Sequence, residues 1–180
     1  ISALVTPSYH NLLDIAQGCR QIFPNALIVA GGGVPTNMYK EILTESACFD
    51  ALCYGEGEKP LLGLLQADDK LQYLGAASSW ITRGKVESGE PFLHDFIEDL
   101  DEIPFSDYGI CDVGKYRLNP AITAYASIDA KKQNFHVMTS RGCTFHCCFC
   151  SSHTVHGRLM RYYSIDRVRE DFTRLRDEYG

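Results

Sequence analysis

Three cysteines, Cys143, Cys147 and Cys150, fall in the stretch Arg141-Gly142-Cys143-Thr144-Phe145-His146-Cys147-Cys148-Phe149-Cys150, with three and then two residues between them. Thiolates this close on one short loop can wrap a single soft metal centre. Soft thiolate ligands select zinc, copper(I) or iron–sulfur clusters over hard cations. A structural zinc site wants four ligands in closed tetrahedral coordination, whereas three cysteines on one loop leave a cubane cluster with one iron open. An open iron can take a substrate or a cofactor.

At these residues the chain resembles the radical S-adenosylmethionine (radical SAM) enzymes. Their pattern is Cys-x3-Cys-x2-Cys with an aromatic residue just before the last cysteine, and Phe149 fills that place. The resemblance implies a 4Fe-4S cluster held by Cys143, Cys147 and Cys150, S-adenosylmethionine on the fourth iron, and backbone around Phe149 against adenine. Electron transfer from the cluster would then cleave the sulfonium to a 5'-deoxyadenosyl radical. It also implies a small-molecule substrate and a reducing electron donor such as a flavodoxin or ferredoxin. Cofactors of this kind carry the hard chemistry, and the protein orients them and excludes side reactions.

Other readings of the same residues stand beside this one. A zinc knot could add His146, His153 or His156 to the three cysteines, although the spacing is not the usual paired C-x2-C arrangement. Cys147 and Cys150 alone form a C-x-x-C redox pair, which leaves Cys143 idle. Cys148 lies outside the pattern and reads as a small buried hydrophobe. The three histidines read as ordinary polar loop residues.

Hydrophobic residues make up 45% of the 180 and charged residues 22%, an ordinary soluble balance. Net charge is −6 and no basic block suggests a nucleic-acid surface. No apolar run approaches membrane-spanning length and no signal peptide opens the chain, so a cytoplasmic protein without a membrane partner is expected. Starting at Ile1 and ending at Gly180 straight after a helical pattern, the sequence reads as a fragment. Its eight cysteines do not look like a secreted disulfide framework. Arginines between Arg158 and Arg176 alternate with Asp166, Glu170, Asp171, Asp177 and Glu178, which predicts a solvated helix face.

Elements that could position a site come first in the chain. Ile1 to Val5 reads as the end of a buried strand, with Ser8 as a helix N-cap. Leu12, Leu13, Ile15, Ala16, Cys19 and Ile22 recur at helical spacing. Ala26 to Ala30 is a strand-length apolar run entering Gly31-Gly32-Gly33, and Thr36 could cap a helix through Leu43. Ala51 to Tyr54 is a strand entering Gly55-Glu56-Gly57-Glu58, followed by a leucine-rich helix. Strands alternating with helices predict a parallel α/β sheet covered on both faces, with ligands beyond the carboxyl ends of its strands. Glycine at those ends lets a flat ligand approach the backbone. Otherwise they are tight turns, with Glu56 and Glu58 as exposed acids.

Ser2-Ala3-Leu4, Gly31-Gly32 with Thr36, and Gly55-Glu56-Gly57-Glu58 together resemble the cobalamin-binding domain that precedes the cluster domain in many radical SAM proteins. The resemblance covers Ile1 to about Leu65, the second half of such a domain. It implies cobalamin contacts at Ser2, Leu4, Gly31, Gly32, Gly33, Tyr54, Gly55 and Glu56. The Asp-x-His-x-x-Gly element, whose histidine ligates cobalt in some relatives, is not in the sequence, and His10 is in the wrong place to replace it. A methylthiotransferase-like radical SAM protein without cobalamin is the alternative; it would carry further cysteine ligands, for which Cys19, Cys48 and Cys53 are candidates.

Further on, Ser79 to Val86 reads as a hairpin around Arg83-Gly84, and Asp99 to Tyr108, with Pro104, as an extended connector. Ala121 to Ile128 could be a lead-in strand. Phe135 to Thr139 is a strand feeding the cysteine loop. Ser164 can cap a helix whose apolar stripe is Ile165, Val168, Phe172, Leu175 and Tyr179. The expected α/β architecture is a partial doubly wound, Rossmann-like or flavodoxin-like cobalamin-binding domain, followed by the first strand, loop and helix of a radical SAM partial TIM barrel. The boundaries are 1–75 for the half domain, 76–134 for hairpin and connector, and 135–180 for the start of the barrel.

Overall fold

The computed structural model describes residues 1–110, 135 and 137–179. The expected strand at Ala121 to Ile128 lies outside the described residues. Two compact units divide the chain: Ile1–Glu98 with Arg141–Met160, and Asp99–Ser140 with Arg161–Gly180.

In the first unit α1 (Tyr9–Ile22) is followed by β1 (Val29–Ala30), α2 (Gly33–Asn37), α3 (Tyr39–Glu45) and β2 (Ala51–Cys53). Then come α4 (Glu58–Gln66), α5 (Lys70–Ala76), β3 (Trp80–Ile81) and α6 (Arg83–Ser88). β1 pairs with β2 in parallel, Val29 opposite Ala51, and Ser2 bridges Gly31 in parallel on the other side. β3 runs antiparallel to β2, with Cys53 opposite Trp80. The sheet is therefore mixed, where an all-parallel one was expected.

Alternation along the strands explains why both faces are covered. Ile28, Ala30, Leu52 and Ile81 pack with Leu12, Ala16 and Ile42 of α1 and α3. Ala51, Cys53 and Trp80 pack on the other face with Leu64 and Leu74 of α4 and α5. Within α1, Tyr9, Leu12 and Ala16 form the buried stripe at spacings of three and four. Ile15 and Ile22, expected in that stripe, are exposed.

Three local expectations change. Ser8 does not cap α1 through its side chain; its hydroxyl donates to the Val5 carbonyl at 2.6 Å. Thr36 lies inside α2 and its hydroxyl donates to the Gly32 carbonyl at 2.8 Å, satisfying a carbonyl within the turn it was expected to cap. Arg83 and Gly84 open helix α6 instead of turning a hairpin, because Thr82 accepts the Lys85 amide at its start. The Lys85 ammonium is buried beneath, donating to the carbonyls of Leu74, Ala77 and Trp80.

The same unit contains the cysteine stretch and α7 (Ser152–His156). Residues 137–139 are irregular and the strand is Ser140–Arg141, later than expected.

In the second unit, α8 (Ile165–Tyr179) follows the strand Arg161–Tyr162. Ser164 caps α8 as expected, accepting the Arg167 amide at 3.1 Å. Asp101 accepts the Ser164 amide at 2.9 Å, and the Arg167 guanidinium lies 3.7 Å from the Phe105 ring centroid. The predicted solvated face is present as ion pairs Arg169–Asp166 and Arg174–Glu178. The apolar stripe is open: Ile165 is 84% and Phe172 57% exposed.

Candidate functional site

The three segments singled out at the strand ends meet along one edge of the sheet. The Ala3 amide donates to the Gly31 carbonyl and the Val34 amide to the Ala3 carbonyl, both at 3.0 Å, which joins Ser2-Ala3-Leu4 to Gly31-Gly32-Gly33. The Gly55 amide donates to the Thr36 hydroxyl at 3.1 Å, which joins Tyr54-Gly55-Glu56 to the same turn. Thr36 is thus a connector between two glycine turns.

The room made by these glycines is taken up by the chain itself. A Cβ on Gly32 would lie 2.6 Å from the Ala3 carbonyl oxygen, and one on Gly33 2.7 Å from that of Leu4. Gly31 sits over the Cys53 Cβ. Gly55, at φ +84°, has the His94 ring and the Val155 carbonyl against the position a Cβ would occupy. His94 in turn contacts the Thr154 carbonyl at 2.8 Å and stacks on Phe96. What faces outward is polar or apolar side chain: Ser2 is exposed, Leu4 is 75% exposed and Tyr54 is half-buried. Three chain segments converging beyond the carboxyl ends of strands fit a ligand edge of this sheet type.

Glu56 is not a solvated acid. It is 5% exposed, and its Oε2 lies 3.1 Å from Arg141 Nη1 while its Oε1 lies 2.7 Å from His156 Nδ1. Arg141 Nη2 also donates to Glu58 Oε1 at 2.7 Å. A carboxylate only accepts, so His156 Nδ1 carries the proton of that bond. Paired, hydrogen-bonded charges are what allow an acid to be buried. Arg141 and His156 were missed as partners because one sequence offers no sign that distant charges meet.

The cysteine loop follows directly. Gly142 has φ +94°, and any side chain there would run into the Leu159 carbonyl, so the residue before Cys143 must be glycine. The Cys143 amide donates to the Gly157 carbonyl at 3.1 Å, and the Cys150 amide to the Cys147 carbonyl at 3.3 Å. Cys143 and Cys150 are half-buried, Cys147 is exposed, and all three carry free thiols. Cys148 is exposed too, so it does not pack as expected. Phe149 is 88% exposed. Cys19 and Cys48 are half-buried beside the core, and the Cys53 thiol is pushed up to about 12, chiefly by burial and then by the charges of Glu58 and Asp95. Among the described residues no three His, Cys, Asp or Glu side chains are gathered around one metal position. The donor chemistry of the loop, three free thiols at x3 and x2 spacing, still fits a soft metal centre.

Residues 1–65 match the family model of the B12 binding domain. Residues 1–65 are thus a B12-binding domain. This domain comprises α1 to α4 with the glycine-lined edge. Over 97% of its length the chain is 32% identical to an uncharacterised methyltransferase of Pyrococcus horikoshii, of which it spans 36%. It is 33% identical over 82% of its length to the anaerobic magnesium-protoporphyrin IX monomethyl ester cyclase of Rubrivivax gelatinosus, spanning 25% of it. It is also 28% identical over 95% of its length to the cytidylyl-2-hydroxyethylphosphonate methyltransferase of Streptomyces wedmorensis, spanning 35% of it. The chain thus covers about a third or less of these relatives. No solved structure matches it significantly. No helix among the described residues is long and apolar enough to cross a membrane.

Proposed function

We propose that this chain is part of a cobalamin-dependent radical SAM enzyme acting by methyl transfer or cyclisation on a small-molecule substrate. The observation that carries the reading is a loop with Cys-x3-Cys-x2-Cys spacing that is pinned to Glu56 of the B12-binding domain inside one compact unit. Relatives named as methyltransferases and cyclases support the reaction type.

Cys143, Cys147 and Cys150 would hold a 4Fe-4S cluster, which supplies an electron for cleaving S-adenosylmethionine when bound. Ser2, Leu4, Gly31 to Gly33 and Tyr54 to Glu56 line the edge for cobalamin. The exposed Phe149 ring is free to meet a flat adenine. Gly142 and the Arg141 contacts fix where the first thiol leaves the fold.

The test joins two bindings. The chain is reconstituted anaerobically with iron and sulfide, then titrated with hydroxocobalamin and followed by absorbance. About four iron per chain, lost in Cys147→Ala, together with saturable cobalamin binding, is the expected result. One tightly held zinc, no cluster and no cobalamin binding would overturn the proposal.

A further inference from the structure

The buried carboxylate of Glu56 is divided between two sides of the cysteine loop. Its Oε2 holds Arg141, two residues before Cys143, and its Oε1 holds His156, in the helix that follows Cys150. The loop between these anchors is also held by the residues just after His156, through Cys143 N–H to the Gly157 carbonyl and Arg158 Nη1 to the Phe145 carbonyl at 3.0 Å. Glu56 itself stands in the turn that ends β2, and that turn is tied to the glycine edge by Gly55 N–H to Thr36. One side chain of the B12-binding domain therefore grips both flanks of the thiol-bearing loop.

We propose that Glu56 is a positioning residue for the cysteine loop, coupling the geometry of Cys143 and Cys150 to the glycine-lined edge. This rests on the functional reading above for the cluster that the loop would receive. Charge-assisted bonds inside a buried pair are strong and directional, and removing the Glu56 charge loosens both anchors while Arg141 keeps its bond to Glu58. A ligand that shifts Tyr54-Gly55-Glu56 shifts both anchors of the loop together.

The experiment needs no metal in its first arm. The metal-free chain and its Glu56→Gln and Glu56→Asp variants are alkylated with iodoacetamide, and each cysteine is followed by mass spectrometry. The expected result is that Cys143 and Cys150 react about tenfold faster in Glu56→Gln, the factor that about 1.4 kcal/mol of lost restraint gives. Cys53 stays unreactive, and Glu56→Asp recovers part of the protection. Unfolding would expose Cys53 as well; in that event the comparison is made with His156→Gln, which leaves the Arg141 pair in place. Unchanged rates at Cys143 and Cys150 overturn the proposal. The second arm measures iron and sulfide uptake by the same proteins. A wild-type cluster with unchanged thiol rates in the variants refutes the positioning role alone. Faster thiol reaction in Glu56→Gln without any wild-type cluster upholds the positioning role and refutes the functional reading.

Discussion

His156 Nδ1 lies 2.7 Å from Glu56 Oε1, a contact across 100 positions of sequence. It brings the helix after the cysteine loop onto the acidic turn of the B12-binding domain, and Arg141 completes the arrangement from the loop's other side. The Arg141 side chain is only 11% exposed. Cutting it back removes one charge partner of the buried Glu56 carboxylate and leaves His156 on the other oxygen, so the cost falls below the about 3–5 kcal/mol of a fully broken buried pair. Arg141→Met is expected to lower the urea midpoint of the first unit markedly, and Arg141→Lys by less. Equal midpoints for all three proteins would show that the pair does not support the fold.

Cys53 and Cys147 should differ sharply as nucleophiles. The thiolate is the reactive form, and burial with nearby Glu58 and Asp95 pushes the Cys53 thiol up to about 12. Alkylation of the folded chain at pH 8 should modify the exposed Cys147 and leave Cys53 intact until urea is added. Comparable rates in the native state would contradict the buried placement of β2.

Asp101 anchors the start of α8. Hydrogen bonds from Ser164, side chain first and then backbone, hold its carboxyl below the ordinary value, with Arg167 assisting. A depressed folded value means that its contribution is present at neutral pH and is lost as pH falls through that depressed value. NMR titration should show the Asp101 carboxyl titrating below the usual aspartate range, and Ser164→Ala should move it back up. An unchanged midpoint in Ser164→Ala would refute the assignment.

Asp69 caps α5 by accepting the Gln72 amide at 2.9 Å. Asp69→Ala should cost about 1 kcal/mol in chemical denaturation, the ordinary value of an N-cap. Asp69→Asn should cost much less, since its amide oxygen can accept the same bond. A loss in Asp69→Asn as large as in Asp69→Ala would argue for charge in place of capping.

Much of the order of elements could be read from local pattern. The run from Ala26 into three glycines, and Ala51 to Tyr54 into Gly55, place two adjacent strands and their turns, because apolar runs ending in glycine have few other meanings in an α/β chain. Where pattern misled, a tertiary contact had decided. Arg83-Gly84 looks like a hairpin turn, yet Thr82 and the buried Lys85 ammonium make it the start of a helix. The leucine-rich helix after Gly57 is present as α4, with Pro60 and Leu64 its buried residues and Leu61, Leu62 and Leu65 exposed.

The candidate site was legible as residues and not as geometry. Cysteine spacing names the loop, and glycine turns name the edge, since both are local in sequence. Glu56 reads as a cobalamin contact or an exposed acid until Arg141 and His156 are brought to it, and nothing in a single sequence reports charge pairing over such separations. The glycines show a similar split: the turns they make are local in sequence, while the atoms that press on Gly32, Gly33 and Gly55 are the chain's own.

The most direct test of the central claim is electron paramagnetic resonance on anaerobically reconstituted, dithionite-reduced protein, with and without S-adenosylmethionine, beside Cys147→Ala. The account predicts a reduced 4Fe-4S signal that is absent in Cys147→Ala and altered by S-adenosylmethionine. A chain that forms no such cluster and holds zinc on the same cysteines would contradict it.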